Sequence, residues 1–360
     1  MKNKVWLSFL IVVVVSLVAV VLGYIAPPES VDHHMSHHYH EHTKYTEHEE
    51  GSDNVDITRH KSVSKVVSPI PSDTEVDKKL AKIGWLLFKD PGLSSNNQIS
   101  CESCHQLSTN GAERTEISTG VGGQGTRNSL TVFNVAHNYR FFWDGRANSL
   151  ADQLDGPVHN VLEMDSDWNR ITDYIEGSAL YQKQFSDAGL NIDEANVKKA
   201  LVEFMNALTT PNSQFDQYLR GDQAALNAQQ LRGWETFQKE GCITCHRGTN
   251  IGGGMMMRFG FFGEDKMGNQ RSDDKGRFQF TEQAKDMYLF RVASLRNVAK
   301  TAPYFHDGKT QTLKEAIKIM GESQLGKTLD SQSIDDIHAF LTTLSGPQPA
   351  ILEEFANGKE

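Results

Sequence analysis

Positive charge is in short supply in this sequence. Its 36 Lys and Arg residues are outnumbered by 46 Asp and Glu residues, which gives a formal net charge of −10 at pH 7. Nucleic acid is densely negative, so it is not expected as a partner of this chain. Hydrophobic residues make up 38 % of the 360, which is enough for ordinary cores, and this length predicts a globular part of about two domains.

Cysteine is scarce too, and the few that exist are not scattered. Four cysteines form two pairs, each followed directly by a histidine: Cys101, Cys104 and His105, then Cys242, Cys245 and His246. This Cys-x-x-Cys-His pattern is typical of c-type haem attachment, in which both thiols bond to one porphyrin edge and the histidine becomes the proximal iron ligand. Zinc would need its ligands paired differently, and a redox dithiol needs no histidine in both copies. The two motifs therefore predict two covalently bound haems.

The one long apolar run lies at the N-terminus and lacks the usual marks of a removable signal. Lys2 and Lys4 precede a run from Val5 to about Ala26, close to the roughly 20 residues that a bilayer-spanning helix needs. No convincing small-x-small cleavage site follows, and no cysteine is there for lipidation. We expect residues 1–26 to be an uncleaved transmembrane anchor in the inner membrane, with a cleaved signal as the alternative. Either way the globular part is exported to the periplasm.

Residues 27–67 are polar and have almost no apolar periodicity, which predicts a disordered linker. A cluster of seven histidines lies within residues 33–48 of this segment: His33, His34, His37, His38, His40, His42 and His48. Metal capture by these imidazoles and a plain solvated tether both fit this composition. The spacing matches no closed tetrahedral site, so the role of the cluster stays open.

The rest of the chain repeats one pattern twice. A helix with a Gly-Trp-x-x-Phe tail precedes each cysteine pair, a glycine-rich irregular stretch follows it, and an apolar helix closes each half. The predicted elements are an amphipathic helix over Asp73–Phe88 that Asp90-Pro91-Gly92 ends, Gly84-Trp85 and Gly233-Trp234 as the repeated tails, and closing helices over Val197–Leu208 and Ile334–Leu344. Such a repeat indicates two similar domains.

We therefore predict a mainly α fold with two cytochrome c-like domains, each built around one covalent haem. The first covers residues 68–218 and the second residues 219–360, with the join near Pro211–Leu226. They follow the N-terminal anchor and its disordered tether.

A series of short motifs then resembles the bacterial di-haem cytochrome c peroxidases, a family related to MauG. The motifs run in order over roughly residues 73–346: Arg127-Asn128-Ser129, Phe141-Phe142-Trp143-Asp144-Gly145-Arg146, Gly156-Pro157, Glu163-Met164, Thr209 with Pro211-Asn212-Ser213, Pro303-Tyr304-Phe305-His306 and Ile319-Met320-Gly321. The resemblance implies an oxidoreductase that reduces hydrogen peroxide with electrons from a small donor.

The resemblance assigns different roles to the two haems. The C-terminal haem would have His246 and Met320 as axial ligands, and thioether ligation favours ferrous iron, so this haem could hold an electron ready. The helix that starts near Thr312 carries Met320, and from chemistry alone Met255, Met256 and Met257 are competitors. The N-terminal haem would be peroxidatic, in a distal pocket of Phe142, Gln153, Pro157 and Glu163.

Glu163 would move a proton between the peroxide oxygens, and Gln153 would orient them. Gly156 and Pro157 are expected to break the helix between these two residues, so that they converge from different segments. Without the resemblance, a surface carboxylate is the simpler interpretation of Glu163.

The resemblance also implies a link between the two domains. Trp143 would lie between the haems and couple them electronically, although an aromatic side chain in an interdomain seam explains it equally well. A calcium ion would be bound by the Asn128 side chain and by the backbone carbonyls of Thr301 and Pro303, since all-oxygen ligation suits calcium.

One position departs from the family pattern. Many members carry a histidine in the loop after the first haem that caps the iron of the oxidised enzyme, and here Val121 takes its place. Valine cannot ligate iron, so the peroxidatic haem is predicted to be open without reductive activation. His137 and His159 are the nearby histidines that could substitute.

The sequence thus predicts a cytochrome c peroxidase, with two alternatives. The first is a MauG-like enzyme that oxidises side chains of a partner protein, against which Met320 counts. The second is a non-catalytic di-haem electron-transfer module, against which Gln153, Pro157 and Glu163 count. A small cytochrome c, a copper protein or a membrane quinol are all candidate electron donors, and the resemblance suggests a homodimer.

Overall fold

The computed structural model describes residues 66–262 and 273–358. The predicted anchor and almost all of the predicted linker lie outside the described residues. Among the residues that are described, no helix is long and apolar enough to cross a membrane. Both described ranges belong to one compact unit of the chain.

The described part is mainly helical, as predicted. Its α-helices are α1 (Lys78–Lys89), α2 (Cys101–Cys104), α3 (Leu150–His159), α4 (Trp168–Glu176), α5 (Ala179–Asp187), α6 (Glu194–Ala207), α7 (Gln214–Leu219), α8 (Ala228–Glu240), α9 (Phe278–Thr281), α10 (Leu313–Leu325), α11 (Ser331–Thr342) and α12 (Ala350–Ala356). Strands β1 (Thr119–Gly120) and β2 (Gly123–Gln124) form one antiparallel pair, and β3 (Met256–Arg258) and β4 (Leu289–Arg291) form another. The first glycine-rich stretch thus contains the short β1–β2 hairpin, the second contributes β3 to a ladder with the later β4, and the predicted join contains helix α7.

Aspartate caps decide where the predicted helices begin. The Asp77 side chain accepts the backbone N–H of Leu80, so α1 starts at Lys78 rather than near Asp73, and it ends at Asp90 as predicted. Asp193 and Asp330 cap the two closing helices in the same way. Both closing helices therefore start three residues before their predicted positions.

The buried apolar side chains gather in two clusters. The first draws on residues 80–208 and also takes Ile351 and Phe355 of the C-terminal helix α12. The second draws on residues 215–344 and also takes Val67. Each predicted half thus contributes most of one core, while each end of the described chain packs on the core of the other half. The domain boundary at residues 218 and 219 stays a prediction.

Each core is built on a pair of crossing helices that meet at a glycine. A Cβ atom on Gly84 of α1 would lie 2.0 Å from the carbonyl oxygen of Ala200 in α6, and one on Gly233 of α8 would lie 1.9 Å from that of Asp336 in α11. Only glycine lets these backbones approach so closely. An aromatic pair one turn further on repeats as well: Phe88 with Phe204, and Phe237 with Phe340.

A second repeated unit, which the sequence analysis did not identify, follows each cysteine pair. Equivalent positions in its two copies are 163 residues apart. Its members share unusual backbone geometry at equivalent positions: left-handed Asn134 and Asn297, Phe142 and Phe305, Gly145 and Gly308, and isolated bridges from Phe141 to Ala147 and from Tyr304 to Thr310. Each unit leads into a helix capped by a hydroxyl side chain, Ser149 for α3 and Thr312 for α10. The first copy contains Phe142 and Trp143, and the two copies lead into the helices that carry Pro157 and Met320.

Candidate haem sites

The first cysteine pair spans the short helix α2. The backbone N–H of His105 donates to the carbonyl of Cys101 over 2.9 Å, which places the histidine directly after the turn. Neither thiol is in a disulfide. Burial raises the pKa of Cys101 to about 12 and that of Cys104 to about 11. In the absence of a bound metal, the thiols therefore stay neutral at pH 7.

The second pair lies on a short 3₁₀ turn, Cys242–Thr244, after left-handed Gly241. Burial raises the pKa of Cys242 to about 11 and lowers that of His246 to about 4. The Nδ1 atom of His246 lies 3.4 Å from the carbonyl oxygen of Ile251. That contact leaves Nε2 as the nitrogen available to a metal.

The donor atoms at both pairs fit covalent haem. Burial also lowers the pKa of His105, so both histidines are neutral imidazoles, the form that ligates iron. In residues 66–262 and 273–358, no three His, Cys, Asp or Glu side chains come together as a metal cluster. A porphyrin that supplies the other four ligands suits such a site better than a bare metal ion.

Two of the predicted distal residues, Phe142 and Glu163, have defined neighbours. A Cβ atom on Gly156 would lie 2.4 Å from Cζ of Phe142, so the glycine makes room for the ring. The guanidinium carbon of Arg146 lies 3.5 Å from the centroid of that ring. The Glu163 carboxylate accepts a hydrogen bond from Nδ2 of Asn160 over 2.7 Å. Asn160 was missed by the sequence analysis, although its place three residues before Glu163 could have suggested it.

The electrostatics of Glu163 favour its protonated form. Burial raises the pKa of its carboxyl group, against the smaller lowering effects of the Asn160 hydrogen bond and the positive charge of Arg146. Its negative charge in turn raises the pKa of both Cys101 and Cys104. Glu163 thus lies within electrostatic range of the first cysteine pair, and its side chain is half-buried.

The expected helix break at Gly156 and Pro157 is wrong. Helix α3 runs through both residues and ends at His159. Pro157 costs the helix one hydrogen bond in its last turn, and the chain beyond it is held by Met164 N–H to the Pro157 carbonyl (3.1 Å) and Asn160 N–H to the Gly156 carbonyl (3.1 Å). Gln153 and Pro157 consequently lie one turn apart on the same face of α3, and Glu163 comes from the loop that follows.

The loop with Val121 lies against this segment. The backbone N–H of Val121 donates to the carbonyl oxygen of Glu163 over 2.8 Å. A Cβ atom on Gly120 would lie 2.2 Å from the carbonyl oxygen of Leu162, so the contact is close. His159 is exposed to solvent, and the pKa of His137 is lowered by burial and by the charge of Arg296.

At the second site, Met320 lies half-buried in α10. It follows the capping residue Thr312 by eight positions, as Pro157 follows the capping residue Ser149. The two residues are therefore equivalent in the repeated unit. Among the competing methionines, Met256 is in β3 next to Gly145, where a Cβ atom on the glycine would lie 2.5 Å from its sulfur.

Trp143 lies where the two repeated units meet. Its Nε1–H donates to the carbonyl of Asn128 over 2.8 Å, and its own carbonyl accepts the N–H of Arg291 over 2.7 Å. Its ring centroid is 6.2 Å from that of His306. Contacts from both halves of the sequence therefore hold this side chain.

Of the predicted calcium ligands, Asn128 is next to Trp143. Asn128 is buried, its Nδ2 donates to the carbonyls of Thr115 (3.1 Å) and Glu116 (3.3 Å), and its N–H donates to the carbonyl of His306 (2.8 Å). The Thr301 hydroxyl donates to the carbonyl of Val298, and Pro303 follows a cis peptide bond. The amide donors of Asn128 are engaged, which leaves its side-chain oxygen as the atom for a cation.

Comparison with known proteins places this architecture in one class. A sequence model of the family described as di-haem cytochrome c peroxidase matches residues 78–224. The cytochrome c551 peroxidase of Pseudomonas aeruginosa is 42 % identical over 306 residues, which cover 81 % of this chain and 88 % of that protein. The cytochrome c peroxidase Ccp of Escherichia coli is 41 % identical over 283 residues, and here the match covers 78 % of this chain but only 61 % of that longer protein.

Among solved structures, a MauG-like protein associated with microbial copper homeostasis superimposes with a TM-score of 0.68 at 25 % identity, and the match covers 82 % of this chain and 96 % of that one. Fold, attachment motifs and relatives agree on a haem-dependent oxidoreductase that acts on peroxide. The chain belongs to the di-haem cytochrome c peroxidase family.

Proposed function

We propose that the chain reduces hydrogen peroxide to two waters at a haem attached to Cys101 and Cys104, with electrons stored at a second haem attached to Cys242 and Cys245. The reaction consumes one peroxide, two electrons and two protons. The bound haems supply the iron chemistry: an open iron binds and reduces peroxide, and a six-coordinate iron passes single electrons. An external donor supplies the electrons one at a time.

The equivalence of Pro157 and Met320 is the observation that supports different roles for the two haems. Both residues stand eight positions after the helix N-cap in the repeated unit. Met320 would offer a thioether ligand to the haem that His246 would hold, whereas proline at the equivalent position would offer no ligand to the haem that His105 would hold. The first site is thereby left open to substrate, and the second is closed by its own side chain.

Glu163 is proposed to move the proton. Its carboxylate accepts the proton from the near oxygen of peroxide and returns it to the far oxygen, which then leaves as water. The hydrogen bond from Asn160 holds the carboxylate in one orientation, and its raised pKa brings the group closer to working pH. Gln153, one turn before Pro157 on α3, is proposed to orient the peroxide oxygens through its amide. Phe142 shapes the pocket beside Gly156.

Trp143 is proposed to couple the two haems. Its indole is hydrogen-bonded to the first half of the sequence through Asn128 and contacts the second half through His306. Calcium bound by the Asn128 side chain and the carbonyls of Thr301 and Pro303 would stabilise this seam. Removal of calcium with a chelator should then slow electron transfer between the haems.

The first haem is proposed to be open in the fully oxidised protein. Val121 is hydrogen-bonded to the backbone of Glu163 and has no atom that can ligate iron. A histidine at this position would be well placed to cap the iron, so Val121→His should make the peroxide reaction depend on prior reduction. His159 is exposed and is proposed to stay unligated.

The location and partners follow from the sequence. We propose that residues 1–26 anchor the chain in the inner membrane and that the haem-binding part lies in the periplasm. A small cytochrome c, a copper protein or a quinol is the proposed donor, and a homodimer is the proposed assembly. The acidic net charge suits a donor with a basic face.

A MauG-like activity is the second candidate, favoured by the superposition on a MauG-like protein. Such an enzyme would need no methionine ligand on its second haem. Met320→His separates the two functions: a peroxidase should lose its electron input and keep its peroxide binding. Unchanged electron input in this variant would favour the MauG-like function.

Stopped-flow absorbance tests the proposal directly. The haem-loaded protein is mixed with peroxide, once fully oxidised and once half-reduced. Rapid reaction in both states is expected. Reaction only after half-reduction would mean that some ligand caps the first haem despite Val121. No reaction in either state would leave an electron carrier and overturn the proposed function.

A further inference from the structure

Arg291, at the end of β4, is a buried cation without a carboxylate partner. Its side chain is 4 % exposed, and its Nε atom donates to the carbonyl of Phe142 over 3.1 Å. Its Nη1 atom is buried with no hydrogen-bond partner. Among residues 66–262 and 273–358, no acidic side chain forms an ion pair with it, and burial alone lowers its pKa to about 10.

Two other arginines with little exposed surface, Arg296 and Arg127, have carboxylate partners. Arg296 is fully buried and pairs with Asp216 over 2.8 Å. Arg127 pairs with both Asp144 and Asp274, each over 2.7 Å. The fold thus supplies carboxylates to buried guanidinium groups elsewhere. Because an unpaired buried charge is strongly destabilising, the lone guanidinium of Arg291 indicates that an anion from outside the polypeptide completes the site.

Arg291 lies between the two candidate haem sites. Its N–H donates to the carbonyl of Trp143, and its side chain donates to Phe142, which lines the first pocket. Two residues further along the chain, the backbone of Ala293 interacts with the ring of His246 at the second site. A group from either haem could therefore reach this guanidinium.

We propose that Arg291 binds a propionate carboxylate of one of the two haems. Each haem carries two propionates, and the planar guanidinium fork matches a carboxylate in geometry and charge. The interaction needs haem to be bound but does not depend on which haem reduces peroxide. A positive charge at this place favours the ferrous state of the haem concerned, and so raises its potential. Arg291 is thus a positioning residue that raises the reduction potential of one haem.

Redox titration of the haem-loaded full-length protein, followed at the separate absorbance bands of the two haems, tests this assignment. Arg291→Gln should lower the midpoint potential of one haem by about 59 mV. For a one-electron couple this corresponds to about a tenfold change in the ratio of oxidised to reduced iron. Arg291→Lys, which keeps the charge, should retain most of the potential. The haem that shifts identifies the source of the propionate.

Arg277→Gln is the matched control. Its guanidinium lies in the same region, donates to the carbonyls of Asp144 (3.1 Å) and Gly145 (3.0 Å), and has its own partner in Asp286 at 3.8 Å. This variant should leave both potentials unchanged. A shift equal to that of Arg291→Gln would mean that loss of any nearby cation is enough, and would overturn the assignment.

Resonance Raman spectra of the haem propionate bending bands give a readout that is independent of potential. The band of one haem should move in Arg291→Lys, because lysine lacks the bidentate fork. If the glutamine variant loads haem poorly, this lysine variant is used for the test instead. Propionate bands and potentials at wild-type values in the haem-loaded variants would overturn the proposal. Peroxide turnover is measured separately, so failure of the proposed peroxidase activity would leave this test intact.

Discussion

The indole ring of Trp143 and the imidazole ring of His306 meet edge to face, with centroids 6.2 Å apart and planes at 71°. These residues follow left-handed Phe142 and Phe305 and are equivalent in the two copies of the repeated unit. The two copies therefore touch each other through the same position. His306 in turn stacks on Phe290 at 4.2 Å, so the contact continues into the second half of the chain.

Trp143→Phe should slow electron transfer between the haems while peroxide still binds. The substitution removes the indole N–H that donates to Asn128 and shortens the ring that reaches His306. We expect oxidation of the second haem after peroxide mixing to slow by about tenfold or more, a barrier increase of about 1.4 kcal/mol. Stopped-flow absorbance of the half-reduced protein measures this rate.

Trp85→Phe is the control for this substitution. Trp85 contacts Phe355 and the Lys82 ammonium group, away from the seam between the repeated units. Its replacement should leave electron transfer unchanged. An unaltered rate in Trp143→Phe would show that the haems are coupled by another route.

Glu163→Gln should cut the rate of peroxide reduction by about 10²- to 10⁴-fold, the usual contribution of a positioned acid–base group. The amide can still accept the hydrogen bond from Asn160, so the pocket should keep its shape. The wild-type rate should fall as the pH falls through the raised pKa of Glu163, because its proton-accepting form is then lost. A pH profile of single-turnover rates checks both expectations, and an equal rate in the variant would remove Glu163 from the mechanism.

The stability of the wild type relative to Glu163→Gln should depend on pH with the opposite sign. A carboxyl whose pKa is raised by folding binds more protons in the folded state, so its contribution to stability is lost as the pH rises through that pKa. At neutral pH the glutamine variant should be as stable as the wild type or more stable. Denaturant titrations at pH 5 and pH 8 measure this difference, and a variant that is less stable only at pH 8 would contradict it.

The sequence was a good guide where a short pattern determines the local chemistry. The Cys-x-x-Cys-His motifs and the Gly-Trp-x-x-Phe tails indicated two equivalent helical units, and the structure pairs α1 with α6 and α8 with α11 accordingly. The distal roles of Phe142 and Glu163 stay predictions from the resemblance, since a single carboxylate in a loop has no pattern of its own.

Features that depend on distant contacts could not be predicted in this way. Pro157 was expected to end a helix, but Phe142 packs on the preceding glycine and the helix continues. Helix α12 packs on the first core although it follows the second half of the chain, because Phe355 contacts the ring of Trp85 there. Arg291 is part of no sequence motif. Only the structure shows that its guanidinium is buried with one nitrogen, Nη1, lacking a hydrogen-bond partner.

The two glycine crossings should be sensitive to a single methyl group. Gly84→Ala and Gly233→Ala each place a Cβ atom far inside van der Waals distance of a backbone carbonyl oxygen, at 2.0 Å and 1.9 Å. Overpacking of this kind costs about 1–3 kcal/mol, measured as a lower denaturant midpoint. Gly177→Ala is the control, since its nearest contacts would be 3.5 Å away and it should cost little. Equal effects of all three substitutions would mean that helix crossing is not the cause.

Pro157→Met tests the equivalence on which the proposed function depends. Methionine at this position restores the backbone N–H that proline lacks and offers the first iron the same ligand that Met320 offers the second. The first haem should become six-coordinate and low-spin, and its reaction with peroxide should slow by at least about tenfold, or about 1.4 kcal/mol. Pro157→Ala restores the same N–H without a ligand and should keep the haem open. If the methionine and alanine variants react with peroxide equally fast and both stay high-spin, position 157 does not face the iron as position 320 is proposed to do.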